Sequence, residues 1–405
     1  MKILVISSAF PPHIYGGGEV AAYNWTKLLV ELGHDVSVVT SLENGETPKW
    51  GEQTPEGYKV YTLDLPRKFT YFGRDSQHSA ADKLLWHAQD YFDPRSISRF
   101  KKVLEEISPD HIDVHNVIGF GFNIFGSIAK RNIPVIYYLH DLNLACFKGS
   151  MFSRGKNCES LCPACKVTGY LRQKNLSKAP RVGYISPSRA NLDKIRSYAP
   201  LVASSSHCAV IPNVPDDLPE ELPVRVKDGT IRLLYVGRIE KIKGIDFLLQ
   251  VLDQLAGHKF HLDVLGAGAQ ESELRAKYKD RSWVTFHGFV DKDTVMEYSA
   301  KADLFCMPSL WAETYGMVTA RALQLGTPVI GSAIGGTKEL VRHEKTGVLL
   351  EPGNLEDWKA EFLRIFNNPD IISRWQDGAK DHADDYSKSS IGEKYQDLLT
   401  ALHQV

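Results

Sequence analysis

Long apolar runs are missing from this chain. No stretch reaches the roughly twenty consecutive apolar residues of a membrane-spanning helix, so nothing in it reads as a span. The opening MKILVISSAFPP carries one lysine and a short apolar run halted by Pro11-Pro12, which suits a first β-strand and not a secretion leader, and points to an intracellular protein. Net charge is nearly absent too, with 48 Lys+Arg against 49 Asp+Glu, and no recognised nucleic-acid-binding module accompanies the basic segments, which argues against nucleic acid as a partner. Cysteine is scarce at six residues, and in an intracellular chain it argues against a disulfide scaffold. What remains is ordinary globular composition, 43% hydrophobic and 24% charged, in a 405-residue chain long enough to bury two cores.

The neutral total hides an asymmetry. Residues 1–215 hold 25 Lys+Arg against 19 Asp+Glu, and the remainder 23 against 30. Within 148–196 there are eleven basic residues and only Glu159 and Asp193 as acids, which would draw that surface toward anionic lipid or a phosphate-bearing substrate; a solvated charged face is the alternative. The segment Arg67–Arg74, RKFTYFGR, mixes cations with three aromatic rings and suits either a membrane surface or a packed loop.

Apolar runs alternate with helical periods along the whole chain, the pattern of parallel sheets covered by helices on both faces. Strands are expected at 3–7, 35–40, 60–64, 111–115 and 134–139, with a helix at 20–32; a second set follows at 231–236, 261–266, 284–287 and 302–307, with a helix at 244–255. Two Rossmann-like units result. The proline-containing stretch 212–229 reads as their connection, giving a first domain over 1–215, a linker at 216–229 and a second domain over 230–388.

Ligands of open α/β sheets bind beyond the carboxyl ends of the strands, so glycine turns there carry weight. After the first strand, Gly16-Gly17-Gly18-Glu19 runs directly into a helix and offers backbone amides to an anion. After 231–236 come Gly237-Arg238 and Lys243-Gly244, two cations able to converge on a diphosphate and neutralise a leaving group without a metal. Gly266 and Gly268 follow the next strand, and Gly288 the one after it. Ser309–Gly336 places Glu313, the turn Tyr315-Gly316, the residues Met317 and Val318 that open a helix, and Gly335-Gly336 in one segment built to hold a polar ligand. His140-Asp141 closes the strand at 135–139, where a histidine can meet a sugar hydroxyl or a developing charge, or be an ordinary core histidine.

These motifs resemble those of the family 4 retaining glycosyltransferases of bacterial polysaccharide and glycolipid type, with the GT-B fold of two Rossmann-like domains facing each other across a cleft. The resemblance covers nearly the whole chain. It implies that Arg238 and Lys243 hold the donor diphosphate, that Glu313 and the amides around Tyr315, Gly316, Met317 and Val318 hold the transferred sugar, and that His140 assists at the reacting face. It further implies that Gly17 and Gly18 lie near the donor phosphates and the acceptor, that Gly237 belongs with Arg238 to the diphosphate clamp, that the turns at Gly266, Gly268 and Gly288 line the nucleotide pocket, and that the closing helix, about 389–403, packs back on the first domain. Where the family carries a second glutamate on the ribose, this chain has Arg321, which instead suits a carboxylate or a phosphate partner. Where the basic residue usually follows the glycine loop, it has Val20.

Four cysteines, Cys146, Cys158, Cys162 and Cys165, cluster at spacings that suit a tetrahedral metal. Structural zinc is the preferred reading; an iron–sulfur cluster on the same ligands and free thiols stand beside it. The expected activity is transfer of a sugar from a nucleoside diphosphate donor to a glycan or lipid-linked acceptor at the inner face of a membrane, with no catalytic metal required. The alternatives are a nucleotide-sugar epimerase and a catalytically inactive partner, the latter raised by Arg321.

Overall fold

In the opening strand, Ile3, Leu4, Val5 and Ile6 are all fully buried, including residues pointing to opposite faces, as a strand covered by helices on both sides requires. The computed structural model describes the chain except residues 15, 44, 66, 70–77, 220, 383–386 and 405. It divides into two units, one of Met1–Gly149, Ser160–Val214 and Lys388–Val405, the other of Ser150–Glu159 and Pro215–Ser387.

The first unit is built on β1 (Lys2–Ile6), β2 (Asp35–Ser41), β3 (Trp50–Gln53), β4 (Lys59–Leu63), β5 (His111–Val114) and β6 (Val135–Tyr138). After the small hairpin of β7 (Phe152–Ser153) and β8 (Lys156–Asn157), which counts with the other unit, come β9 (Val182–Ser186) and β10 (Cys208–Val210). The sheet order is β10-β9-β6-β5-β1-β2-β4-β3, parallel throughout except for the edge strand β3. β3, β9 and β10 have no counterpart in the sequence expectation. The helix Gly17–Glu31 buries Ala21, Ala22, Trp25, Leu28 and Leu29 on this sheet, one face at helical spacing. The closing helix Lys388–His403 lays Ile391, Tyr395, Leu398, Leu399 and Leu402 against the same core, and Tyr395 Oη donates to the buried Asp113 of β5 at 3.0 Å.

The second unit carries β11 (Ile231–Val236), β12 (Phe260–Leu265), β13 (Val284–Gly288), β14 (Leu304–Met307), β15 (Val329–Ser332) and β16 (Gly347–Leu350), all parallel in the order β13-β12-β11-β14-β15-β16. Both sheets reverse direction of growth beside their first strand, so the crevice where loops diverge lies between β1 and β5 in one unit and between β11 and β14 in the other. Each sheet, with helices on its faces, is a Rossmann-like α/β half.

Of the segment 67–74, positions 70–74 lie outside the described residues. Its beginning is packed: Arg67 donates to the Gly119 carbonyl at 2.8 Å and pairs with Asp90 at 3.1 Å, while Phe69 stacks on Trp86. Among the described residues no helix is long and apolar enough to cross a membrane.

Candidate active site

At the switch point of the second sheet, the loops after β11 and β14 bring a cation and a carboxylate together. Lys243 Nζ lies 2.7 Å from Glu313 Oε1, and the same oxygen accepts from Ser309 Oγ at 3.0 Å and from Trp311 Nε1 at 2.7 Å. The Lys243 ammonium also rests over the Trp311 ring, 5.2 Å from its centroid. Glu313 is only 7% exposed, so three donors on one oxygen are what make its burial as an anion affordable. Ser309 and Trp311 carried no signal in the sequence beyond standing next to Glu313.

Glycine shapes this site where the backbone needs it. Gly244 has φ +73°, and a Cβ there would stand 1.9 Å from the Pro308 carbonyl, which lets the loops after β11 and β14 touch. Gly335 has φ +59°, and its Cβ would meet the Glu313 carbonyl at 2.3 Å; the neighbouring Gly336 N–H donates to that carbonyl at 2.7 Å. Gly316, at φ +102°, caps the helix Met317–Gln324, which begins with Met317 and Val318 behind the buried Tyr315.

Arg238 does not join the Lys243–Glu313 pair; it is more than half exposed and bonds Glu240 at 3.0 Å. Gly266 and Gly268 press against this chain's own loop, their Cβ positions falling 2.0 Å from the Gly237 carbonyl and 2.5 Å from that of Ile239. The absence of side chains there is explained by protein packing, whereas at Gly288, whose carbonyl accepts from the Gly266 N–H at 2.7 Å, a Cβ would meet nothing closer than 3.6 Å and it is the positive φ of +76° that favours glycine.

Arg321 is buried against a carboxylate. Its Nε and Nη2 reach Asp216 Oδ2 at 2.7 and 2.5 Å, and Lys292 Nζ binds the other oxygen at 2.8 Å. Burial alone would raise the Asp216 pKa, but the charge of Arg321 and the bond from Lys292 outweigh it and hold the carboxyl below its usual range. Of the two partners open to Arg321 from sequence, the carboxylate is the one in place, and Asp216 and Lys292 had no motif to mark them.

In the first unit the strand ends after β5 and β6 carry a histidine pair. His115 Nδ1 and His140 Nε2 are 2.7 Å apart, and His115 stacks on Tyr138 with centroids 3.9 Å apart. Burial lowers the pKa of His140 to about 4, and burial together with His140 takes His115 well below the usual value, so both rings are neutral near pH 7. His140 Nε2 is therefore engaged by His115, a partner that sequence inspection missed. A Cβ on Gly18 would come 4.0 Å from His140 Cβ, so the glycine loop and this histidine meet. Glu19 turns back to accept the Gly16 N–H at 2.9 Å and caps its own helix, which leaves Gly17 at the helix start.

Among the described residues no group of three or more His, Cys, Asp or Glu is placed to hold an ion. Cys146 and Cys165 are buried with sulfurs 3.8 Å apart, Cys162 is exposed at the start of the helix Pro163–Leu176, and Cys158 belongs with the other unit. The zinc and iron–sulfur expectations thus find no support among the described residues. Cys162 is held below the usual thiol value by the Cys165 backbone N–H and, next, by the Cys165 side chain, whereas burial pushes Cys165 up to about 12.

The sequence model of Glycosyltransferase Family 4 matches residues 15–217, and that of Glycosyl transferases group 1 matches 220–382. An uncharacterised glycosyltransferase of Methanocaldococcus jannaschii is 30% identical over 98% of this chain and 94% of its own. Among solved structures, a sucrose-phosphate synthase from Thermosynechococcus elongatus superposes with a TM-score of 0.80 at 20% identity, covering 99% of this chain and 98% of that one. HepE of Anabaena, solved with UDP-glucose, gives 0.66 at 17% identity over 99% and 100%.

Proposed function

The chain belongs to glycosyltransferase family 4, with the GT-B fold, and from that premise we propose that it moves a hexose, with retention at the anomeric carbon, from a nucleoside diphosphate donor to a glycan or lipid-linked acceptor. The observation that carries this reading is the Lys243–Glu313 pair at the switch point of the second sheet, where a sugar and a diphosphate need an acceptor and a cation side by side. Lys243 and Arg238 supply positive charge as the sugar–phosphate bond breaks, and the leaving oxygen is where that charge is needed. The three donors on Glu313 all fall on Oε1, so Oε2 is the oxygen a sugar hydroxyl would meet. A carboxylate so engaged is a poor nucleophile, which favours displacement from the face of the departing diphosphate. The amides of Gly316, Met317 and Val318 open the helix behind it. The solved HepE complex with UDP-glucose supports a uridine nucleotide as the first donor to try.

His140 is proposed to meet the sugar as a neutral hydrogen-bonding ring. The domain roles follow the two units, with acceptor recognition given to the first, over about 1–215, and donor recognition to the second, over about 230–388. The eleven basic residues of 148–196 favour an acceptor bearing phosphate or an anionic membrane surface. Salt-sensitive sedimentation with phosphatidylglycerol vesicles checks the membrane arm, and sedimentation no better than with phosphatidylcholine removes it.

Both matching family models are transferase models, and no feature of the site favours an epimerase. A panel of nucleotide sugars with the purified protein tests the reading. Slow release of free sugar and nucleoside diphosphate is expected, with the α-anomer formed first from an α-linked donor. Epimerised donor, or no turnover and no binding across the panel, would overturn it.

A further inference from the structure

The hairpin β7–β8 leaves the first unit's chain after Gly149, and its contacts belong to the second unit. At its end, Asn157 meets the loop that leads into Glu313. Its Nδ2–H donates to the Leu310 carbonyl at 3.0 Å, and its Oδ1 accepts from the Ala312 N–H at 3.1 Å. One side-chain amide thus closes a two-point bond on the backbone either side of Trp311, as an adjacent strand would. A primary amide suits this task because it donates and accepts at once. The segment it holds has no regular structure of its own, and its other backbone tether here is Leu310 N–H on the Ile242 carbonyl at 3.0 Å.

Between the two clamped groups, Trp311 points its indole N–H at Glu313 Oε1 and its ring under Lys243. We infer that Asn157 is a positioning residue for the donor sugar, fixing residues 310–312 so that Trp311 holds the Glu313 carboxylate in the orientation that presents Oε2. This rests on the assignment of Glu313 to the sugar made above. An insertion that starts among first-unit residues thereby takes part in sugar recognition in the second unit. Angular control of this kind matters because a catalytic group displaced by about 1 Å can cost on the order of a hundredfold. The bonds of Asn157 itself fall on the Leu310 and Ala312 backbone, on the sugar side of the site, whereas the Gly237–Gly244 loop that would hold the diphosphate is reached one step further on, through the Leu310 N–H on the Ile242 carbonyl and the Trp311 ring beside Lys243.

Calorimetric titration of the full chain with UDP and UDP-glucose, and with GDP and GDP-mannose as a second pair, tests the inference. Asn157→Ala should weaken the nucleotide sugar about tenfold while the bare nucleoside diphosphate changes less than about twofold, a split that a general loss of structure would not produce. Trp311→Phe keeps the ring and removes the N–H, and should give the same split; it carries the test if Asn157→Ala does not fold. Equal losses for both ligands, or unchanged affinity for the sugar in a folded variant, overturn the role of Asn157 while the native protein's binding leaves the donor site standing. Native protein that binds none of the four ligands overturns the donor-site reading and this inference with it.

Discussion

Lys243 and Arg321 show how much a single side chain's partner decides. Lys243 stands against Glu313 in a largely buried pair, whereas Arg238 is solvated and bonded to Glu240. Lys243→Ala is therefore expected to cut turnover about a hundredfold or more, near 3 kcal/mol for one preorganised charge, and Arg238→Ala to cost no more than that. Steady-state rates on a matched donor check the order, and near-native rates in both variants would remove the diphosphate clamp. Arg321→Glu has a different outcome from the one the family comparison suggests. Restoring the family's glutamate would set two carboxylates together at Asp216, so we expect a folding loss of about 3–5 kcal/mol in place of a gained ribose contact. Denaturant unfolding measures it, and a stability loss under about 1 kcal/mol would show that Asp216 does not depend on Arg321.

At the level of elements, the turns around Glu313 depend on close backbone contacts that glycine permits, beside the side-chain bonds already described. Gly335→Ala would place a methyl 2.3 Å from the Glu313 carbonyl in a left-handed conformation, and the loop must shift. We expect a stability loss of about 1–3 kcal/mol with loss of donor turnover out of proportion to it, read by melting and single-turnover rates on the same preparation. An active variant with a native donor KM would mean that this turn tolerates displacement. The motif was legible in the sequence because glycines at strand ends are local signals. Its purpose was only partly so: Gly266 and Gly268 also sit at strand ends, yet the close approach that requires them is to the chain's own Gly237 and Ile239.

For the molecule as a whole, the buried histidine pair sets a pH dependence. The folded pKa of His140 is depressed to about 4 from a usual 6.5. As pH falls below 6.5 the unfolded chain takes up a proton that the folded ring refuses, so stability is full above that pH and declines between 6.5 and 4. His140 alone would contribute roughly 3 kcal/mol of that decline, and His115 adds in the same direction. Asp216, with its lowered pKa, adds a loss only at more acidic pH, when its carboxyl protonates. Urea unfolding at pH 7.5 and 5 should show the drop, and the double substitution His115→Asn with His140→Gln should flatten it. An equal slope in the substituted protein would assign the dependence elsewhere.

The sequence by itself determined the two α/β halves, most central strands to within about two residues, and the strand-end motifs, because apolar periodicity and glycine turns are written over a few neighbouring residues. It also placed Glu313 and Lys243 at strand ends where a ligand would be met. Tertiary structure alone decided their pairing with each other, the bond from Arg321 to Asp216 across 105 positions, the contact of His140 with His115, and the docking of Asn157 beside Trp311. Such pairings join residues far apart in the chain, whose proximity depends on which strands lie side by side, and no local pattern encodes that order.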